Sequence, residues 1–212
     1  MWTRLSKFLL IVNPLSTHLA KIPNSFDAPY ITKPAFSSPL SSTTTVTQSI
    51  KAAALEEVRV DMADMKIERR PVTLVTNVGS CVAICIHDPI NKCGGLAHIM
   101  LPSSSICRKE ILHSKYADTA VPALTKGMQK SGKCSFALSA KIAGGANMFP
   151  NLNSNTMNIG VKNVQAVKES LAEHGIKLLS EDVTGTCGRK VSFNIATGEV
   201  FVRNGNGDEK KI

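Results

Sequence analysis

Two consecutive apolar segments constrain the fold of this chain more than any other feature. The stretch from Val75 to Pro102 reads VTNVGSCVAICIHDPINKCGGLAHIMLP. Its first apolar run, from 81 to 87, is almost uninterrupted, which is typical of a strand that is buried on both faces. Turn residues follow this run, and 94–101 returns as a second apolar strand. We therefore predict two consecutive strands joined by one loop, the first of them buried on both faces.

The same stretch carries a thiol and an imidazole. Cys81 directly follows Gly79-Ser80 at the start of the first strand, and His98 lies within the second. An imidazole that takes the proton of a thiol produces the thiolate, which is the nucleophile. A tight turn at Gly79-Ser80 can also direct backbone N–H groups at the group that sulfur attacks, as an oxyanion hole does. The pair makes the chain a candidate cysteine hydrolase, and the alternative is a core cysteine beside a hydrogen-bonded core histidine.

The other cysteines and histidines form no comparable pattern. The six cysteines contain no CxxC pair and no spacing typical of a zinc site. Cys85, Cys93 and Cys134 are expected to fill the core as small apolar side chains. Cys107 and His113 supply only two candidate ligands on one loop, so we predict no metal site there.

Composition indicates one core and a mildly basic surface. The 212 residues are 43% hydrophobic and carry a formal net charge of +9. The basic residues are scattered and are not accompanied by the aromatic stripe that a reader of single-stranded nucleic acid uses. A nucleic-acid-binding protein that relies on the charge is therefore a weaker alternative. No apolar run approaches the length of a membrane span, so membrane insertion is not expected.

The first 53 residues differ from the rest. The apolar run 8–12 is short for the core of a signal peptide, and no small-residue cleavage site follows at the usual distance. Residues 13–50 are rich in Ser, Thr and Pro, which predicts disorder. We expect 1–53 to be a disordered extension or the product of a start codon assigned too far upstream, with a weak targeting signal as the other alternative. The folded domain is predicted over 54–212.

Strands dominate the remaining pattern. Further strands are predicted around 58–67, 72–75, 136–142 and 176–181, with a closing hairpin over 190–203. Helices are predicted at 118–130, with Pro122 in its first turn, and at 158–174. The apolar face of the second helix is predicted to hold Val161, Val164, Val167 and Leu171. Few helices among many strands indicate an α+β domain rather than a βαβ repeat.

Five segments follow one another between residues 55 and 205. They read NVGSCVAICIHDP, GGLAHIMLP, KYADTA, AKIAGGANMF and NIGVKNVQAVKESLAEHGIKLLSEDVTGTCGRKVSFNIATGEVFVR. Together they resemble the CheD family, the chemoreceptor glutamine deamidases of bacterial and archaeal chemotaxis. The resemblance implies mixed β-sheets packed as a sandwich with a few outer helices, similar to bacterial toxin cysteine deamidases.

The resemblance also implies a Cys-His-Thr arrangement. Cys81 corresponds to the nucleophile and His98 to the general base, and a threonine shortly before GSC orients the histidine. Thr76 lies five residues before Cys81, whereas some members place the threonine six before, which here is Val75. The third residue is therefore left open between these registers, with Thr76 as the expected one. No metal or organic cofactor is implied.

The implied activity is that of a protein-glutamine glutaminase. The cysteine attacks the side-chain carboxamide of a glutamine on a methyl-accepting chemotaxis receptor, and water cleaves the thioester to leave glutamate. Receptors are the expected partners of a monomeric, cytoplasmic enzyme that binds no nucleic acid. The alternative implied by the same resemblance is a non-catalytic regulatory module that binds the CheC phosphatase.

Overall fold

The part of the chain that the structure describes contains ten strands, two α-helices and two short 3-10 helices. The structure is a computed structural model that describes residues 55–106, 112–130, 137–148 and 159–212. The predictions for 1–53, Cys107 and Cys134 lie outside these residues. In chain order the elements are β1 (Glu57–Arg59), β2 (Met65–Glu68), β3 (Thr73–Val78), β4 (Val82–Asp88), β5 (Cys93–Ile99), α1 (Ala117–Lys130), β6 (Ser139–Gly144), α2 (Ile159–Glu173), β7 (Lys177–Val183), β8 (Arg189–Asn194), β9 (Val200–Asn204) and β10 (Glu209–Lys211).

The strands form two five-stranded sheets. Sheet A has the order β1-β3-β8-β9-β10, and sheet B has the order β2-β5-β4-β6-β7. The β1–β3 and β6–β7 pairs are parallel, whereas the pairs around β4 and around β8 are antiparallel. The predicted α+β class with mixed sheets is therefore confirmed. None of the described helices is long and apolar enough to span a membrane.

Sheet B is the middle layer of the domain. Every residue of β4 and of β5 is buried. Val82, Ile84 and Ile86 belong to the core that sheet B shares with the two helices. The alternate residues Ala83 and Cys85 belong to the core that it shares with sheet A. Because successive side chains of a strand point to opposite faces, both faces of β4 are covered, as the uninterrupted apolar run predicts.

Helix α2 packs through a face that differs from the predicted one. Three of the four predicted apolar positions are buried, but Val161 is 48% exposed. Its neighbour Gly160 is buried instead. A Cβ at Gly160 would lie 2.4 Å from the carbonyl oxygen of Gly145, so the helix approaches the end of β6 more closely than a side chain permits. The prediction for Val161 is wrong because this contact buries Gly160 and leaves Val161 at the surface.

Helix α1 contains its proline in the interior. The helix begins at Ala117 and Pro122 is its sixth residue, so the predicted place in the first turn is wrong. The start is set by the carbonyl of Tyr116, which accepts a hydrogen bond of 2.9 Å from the N–H of Ala120. Proline removes the N–H that would otherwise bond to the carbonyl of Asp118. The helix continues to Lys130 without that bond.

Candidate active site

Cys81 and His98 lie at the same end of sheet B, on the face that is turned towards sheet A. In the antiparallel β4–β5 register, Ala83 is directly opposite His98. Cys81 precedes Ala83 by two residues and packs against the same inter-sheet core, so it is the diagonal neighbour of His98 on that face. Diagonal neighbours of antiparallel strands are about 7–8 Å apart, within reach of long side chains. The register thus makes the two predicted residues diagonal neighbours on one face of sheet B.

Thr76 approaches His98 from the opposite sheet. Its Oγ1 lies 2.8 Å from Nδ1 of His98 and donates a hydrogen bond of 2.8 Å to the carbonyl oxygen of Val60. Because a threonine hydroxyl has one proton and a carbonyl can only accept, Nδ1 must carry a proton and donate it to Oγ1. In the neutral ring Nε2 is then unprotonated. Nε2 is buried and has no hydrogen-bond partner. It is therefore available to accept a proton.

The other candidate for the third position is directed away from the histidine. Along β3, Leu74 and Val78 face the core between the sheets. By strand alternation Thr76 shares their face and Val75 points to the other side of sheet A. Val75 also has no polar side-chain atom. Only Thr76 of the two registers can therefore hydrogen bond to His98.

The connection between β1 and β2 holds the main chain of His98. The N–H of Ala63 donates to the carbonyl of His98, and the N–H of His98 donates to the carbonyl of Asp64, each at 3.0 Å. The hydroxyl of Ser114 in turn donates to the carbonyl of Ala63. Ala63 has a φ of 58°, which is uncommon for a residue with a side chain. Sequence analysis missed this support because the segment carries no recognisable motif.

Burial keeps both candidate groups neutral. His98 is 4% exposed, and burial lowers the pKa of its imidazole below 6.5, with the nearby charge of Asp61 opposing the change. Burial also raises the pKa of the Cys81 thiol above 9.0, opposed by the backbone N–H of the same residue. The resting pair at neutral pH is therefore a thiol and a neutral imidazole.

The turn that precedes Cys81 is held through its carbonyl groups. The carbonyl of Gly79 accepts a hydrogen bond of 2.8 Å from the N–H of Ala146. The carbonyl of Ser80 accepts one of 3.0 Å from Nδ2 of Asn163. Outside the turn, no described residue accepts a hydrogen bond from the N–H of Ser80 or of Cys81. The N–H of Cys81 lies close to its own sulfur, and both main-chain N–H groups are candidates for an oxyanion hole.

The glycine pair at the end of β6 allows this turn to form. The N–H of Gly145 donates to the carbonyl of Cys81 at 2.8 Å. Gly144 has a φ of 119°, and a Cβ on it would lie 2.2 Å from the same carbonyl oxygen. A side chain at 144 is therefore excluded both by conformation and by space. In the sequence this glycine pair belongs to no nucleotide-binding motif. Its contact with Cys81 is evident only from the fold.

A cavity of about 490 Å³ opens beside the turn. Gly79 and Met148 line it together with the basic residues Arg189, Lys190 and Arg203. Arg189 is itself held by Asp182 at 3.2 Å. Cys81 and His98 do not line this cavity, which borders the turn only through Gly79.

The remaining described cysteines are not comparable to Cys81. Cys85 and Cys93 are buried, as predicted for core residues. Burial raises the pKa of the Cys85 thiol far above its ordinary value, which makes it unreactive. Cys187 is exposed. Among the residues that the structure describes, no group of three or more His, Cys, Asp or Glu could hold a metal ion.

Comparison with known proteins identifies the family. A family model described as CheD chemotactic sensory transduction matches residues 100–204. The chain is 45% identical over 152 residues to the chemoreceptor glutamine deamidase CheD of Thermotoga maritima, which covers 71% of this chain and 94% of that protein. The chain belongs to the CheD family. The CheD of Halalkalibacterium halodurans is 42% identical over 158 residues, 73% of this chain and 98% of its own length.

Archaeal CheD sequences are similar as well. A probable chemoreceptor glutamine deamidase CheD of Methanococcus maripaludis is 43% identical over 148 residues, 70% of this chain and 95% of its own length. The resemblance that the sequence motifs indicate is therefore confirmed. The CheD family model begins after Thr76, Cys81 and His98, so the roles of these three residues are argued from the geometry above.

Proposed function

We propose that this chain deamidates glutamine side chains of methyl-accepting chemotaxis receptors, with Cys81 as nucleophile, His98 as general base and Thr76 as the residue that orients the base. The observation that carries the proposal is the hydrogen bond from Nδ1 of His98 to Thr76, because it leaves Nε2 free on the face that Cys81 shares. The relatives at 42–45% identity are named chemoreceptor glutamine deamidases, which supports this choice of substrate.

The first step forms the carbon–sulfur bond. The sulfur of Cys81 attacks the side-chain carboxamide carbon of the glutamine while its proton passes to Nε2 of His98. Because thiol and imidazole are both neutral at rest, the proton moves as the attack proceeds. The electron pair of the carbonyl moves to oxygen, and the main-chain N–H groups of Ser80 and Cys81 stabilise that negative charge.

The next steps release the two products. The imidazolium of His98 gives its proton to the amide nitrogen, the carbon–nitrogen bond breaks, and ammonia leaves a thioester on Cys81. Nε2 then takes a proton from water, whose oxygen attacks the thioester carbon. The sulfur leaves and recovers its proton from the imidazolium. Glutamine and water thus become glutamate and ammonia, with no oxidant and no cofactor consumed.

Thr76 keeps one tautomer available through the cycle. Its oxygen accepts from Nδ1–H in the neutral ring and in the imidazolium alike. The proton on Nδ1 therefore never moves, and only Nε2 exchanges protons with substrate and sulfur.

Mass spectrometry of a co-expressed receptor tests the proposal. The parent chain is expected to raise the mass of target peptides by about one dalton, the difference between an amide and an acid that hydrolysis produces. Cys81→Ala is expected to leave that mass unchanged. Cys187→Ala is the matched control, since it removes an exposed thiol and should keep full activity. Deamidation by Cys81→Ala at the parental rate would refute the proposal.

We propose that the protein acts on receptors as a cytoplasmic monomer. A chain that only binds the CheC phosphatase is the alternative, and it makes a different prediction. In that case neither the parent nor Cys81→Ala changes the mass of the receptor, although both retain CheC in a pull-down. The unpartnered Nε2 of His98 favours the catalytic proposal, because a binding module has no use for a buried base.

A further inference from the structure

Asn163 of helix α2 joins the two halves of the candidate site. Its side chain is fully buried. Nδ2 donates 3.0 Å to the carbonyl of Ser80, directly before the nucleophile, and 2.9 Å to the carbonyl of Met100, two residues beyond His98. Both partners are acceptors only, so the orientation of this amide is determined. Oδ1 is buried and has no hydrogen-bond partner.

The bond to Ser80 sets the direction of the following N–H. The 80–81 peptide is trans, and in a trans peptide the C=O and the N–H point in opposite directions. Because the carbonyl of Ser80 is held towards α2, the N–H of Cys81 is directed away from α2. A rotation of this peptide would place a carbonyl oxygen where the donor now stands. The developing oxyanion would then meet a negative dipole instead of a positive one.

We propose that Asn163 is a positioning residue, which holds the 80–81 peptide in the orientation that lets the N–H of Cys81 stabilise the oxyanion. The inference rests on the proposed deamidase function. The second bond, to Met100 directly after β5, holds the amide from the other side, so the side chain cannot turn without losing both hydrogen bonds. An apolar residue would leave the carbonyls of Ser80 and Met100 without this donor, which also costs free energy, so the experiment must separate positioning from stability.

Two reactions of the same sulfur separate positioning from simple packing. Alkylation of Cys81 by iodoacetamide displaces iodide at a saturated carbon and forms no oxyanion, so it depends on the thiol and on His98 alone. Deamidation passes through an oxyanion and depends on the N–H as well. Loss of positioning slows only deamidation. Loss of packing changes both rates together or neither.

The experiment compares full-length Asn163→Ala with Ser170→Ala. Ser170 is the matched control because it is buried on the same helix and its Oγ has no partner. For Asn163→Ala we expect kcat for receptor deamidation to fall about 10-fold to 100-fold, with KM and the alkylation rate within about twofold. Ser170→Ala should match the parent. Parental kcat in Asn163→Ala, or a parallel fall in alkylation, would overturn the inference.

A measurement on the parent chain tests whether the N–H of Cys81 binds the oxyanion, even if Asn163→Ala does not fold. A receptor peptide whose target glutamine is replaced by the side-chain aldehyde forms a hemithioacetal with Cys81. We expect the amide proton of Cys81 to shift downfield in NMR spectra, while the Nδ2 protons of Asn163 stay protected from exchange. An unshifted Cys81 amide refutes the inference. A parent that does not deamidate receptors refutes the proposed function itself, so the two failures are distinct.

Discussion

At the scale of the residue, one hydroxyl group determines which ring nitrogen of His98 carries a proton. Thr76 satisfies the buried carbonyl of Val60 and accepts from Nδ1 of His98 with a single oxygen. Neither bond alone would determine the tautomer. Together they leave Nε2 as the only ring nitrogen that can take a proton. The same oxygen therefore serves both stability and the proposed chemistry, and a substitution should reveal the two contributions separately.

Thr76→Val should lose both contributions. We expect kcat/KM to fall about 10-fold to 100-fold because the tautomer is no longer held. Leaving the carbonyl of Val60 unpaired should lower the free energy of unfolding by about 1–3 kcal/mol. Thr76→Ser should restore most of both, as seen in deamidation assays and urea titrations. Thr73→Val, on the other face of the same strand, is the control, and an equal loss there would contradict the assignment.

The low pKa of His98 predicts the acid limit of activity. The active base is the neutral ring, so kcat/KM should stay constant at neutral pH and fall only below pH 6.5, the ordinary value from which burial lowers this pKa. Asp61→Asn removes the charge that raises the pKa of His98, so the acid limit should move to still lower pH. A pH–rate profile at low salt measures both. An acid limit above pH 6.5 would exclude His98 as the base.

The same shift predicts how stability depends on pH. Below pH 6.5 the unfolded chain binds a proton at His98 while the folded chain does not, until the pH reaches the lower folded pKa. In that window the unfolded state holds more protons, so stability falls as the pH falls. Urea titrations across this window should show a smaller pH dependence for His98→Gln than for the parent. An unchanged dependence would show that His98 is not responsible.

At the scale of the element, helix α2 is placed by a small residue as well as by its buried valines. Gly160 lies against the carbonyl of Gly145, which brings the helix close to the end of β6. That approach lets Asn163, one turn further on, reach Ser80. Val161 is left at the surface as a consequence. The position of this helix and the proposed orientation of the turn before Cys81 are therefore linked.

Gly160→Ala should test that link. Alanine normally favours a helix over glycine by about 1 kcal/mol, but here its Cβ would lie 2.4 Å from a carbonyl oxygen. We expect a net destabilisation of about 1–3 kcal/mol from overpacking together with a lower kcat, because α2 carries Asn163. Val161→Ala, at an exposed position of the same helix, is the control. A more stable Gly160→Ala would show that the close approach is not needed.

At the scale of the whole molecule, the candidate site draws one contribution from each layer. Thr76 comes from sheet A, Cys81 and His98 from sheet B, and Asn163 from the helical layer. No two layers contain all four residues, so the site depends on how sheet A packs on sheet B and how the helices pack on its other face. The inter-sheet core includes the fully buried Phe193.

Phe193→Ala should weaken the contact between the sheets. We expect the free energy of unfolding to fall by about 3–5 kcal/mol. We also expect activity to be lost at urea concentrations below the unfolding transition, because Thr76 and His98 lie on opposite sides of this core. Met128→Ala, in the core between the helices and sheet B, is the control for destabilisation alone. If both variants lost activity and structure at the same urea concentration, the site would not depend specifically on the contact between the sheets.

The sequence by itself determined the two strands around Cys81 and His98 and the burial of the first on both faces, because hydrophobic periodicity along a strand is a local property. Only the tertiary structure decided that Cys81 and His98 share a face of sheet B and which residues cover it. Thr76 meets His98 across 22 positions of the chain, and Asn163 meets Ser80 across 83. Periodicity indicates that a side chain points inwards, but the residue it meets depends on the packing of separate layers, which no local pattern encodes.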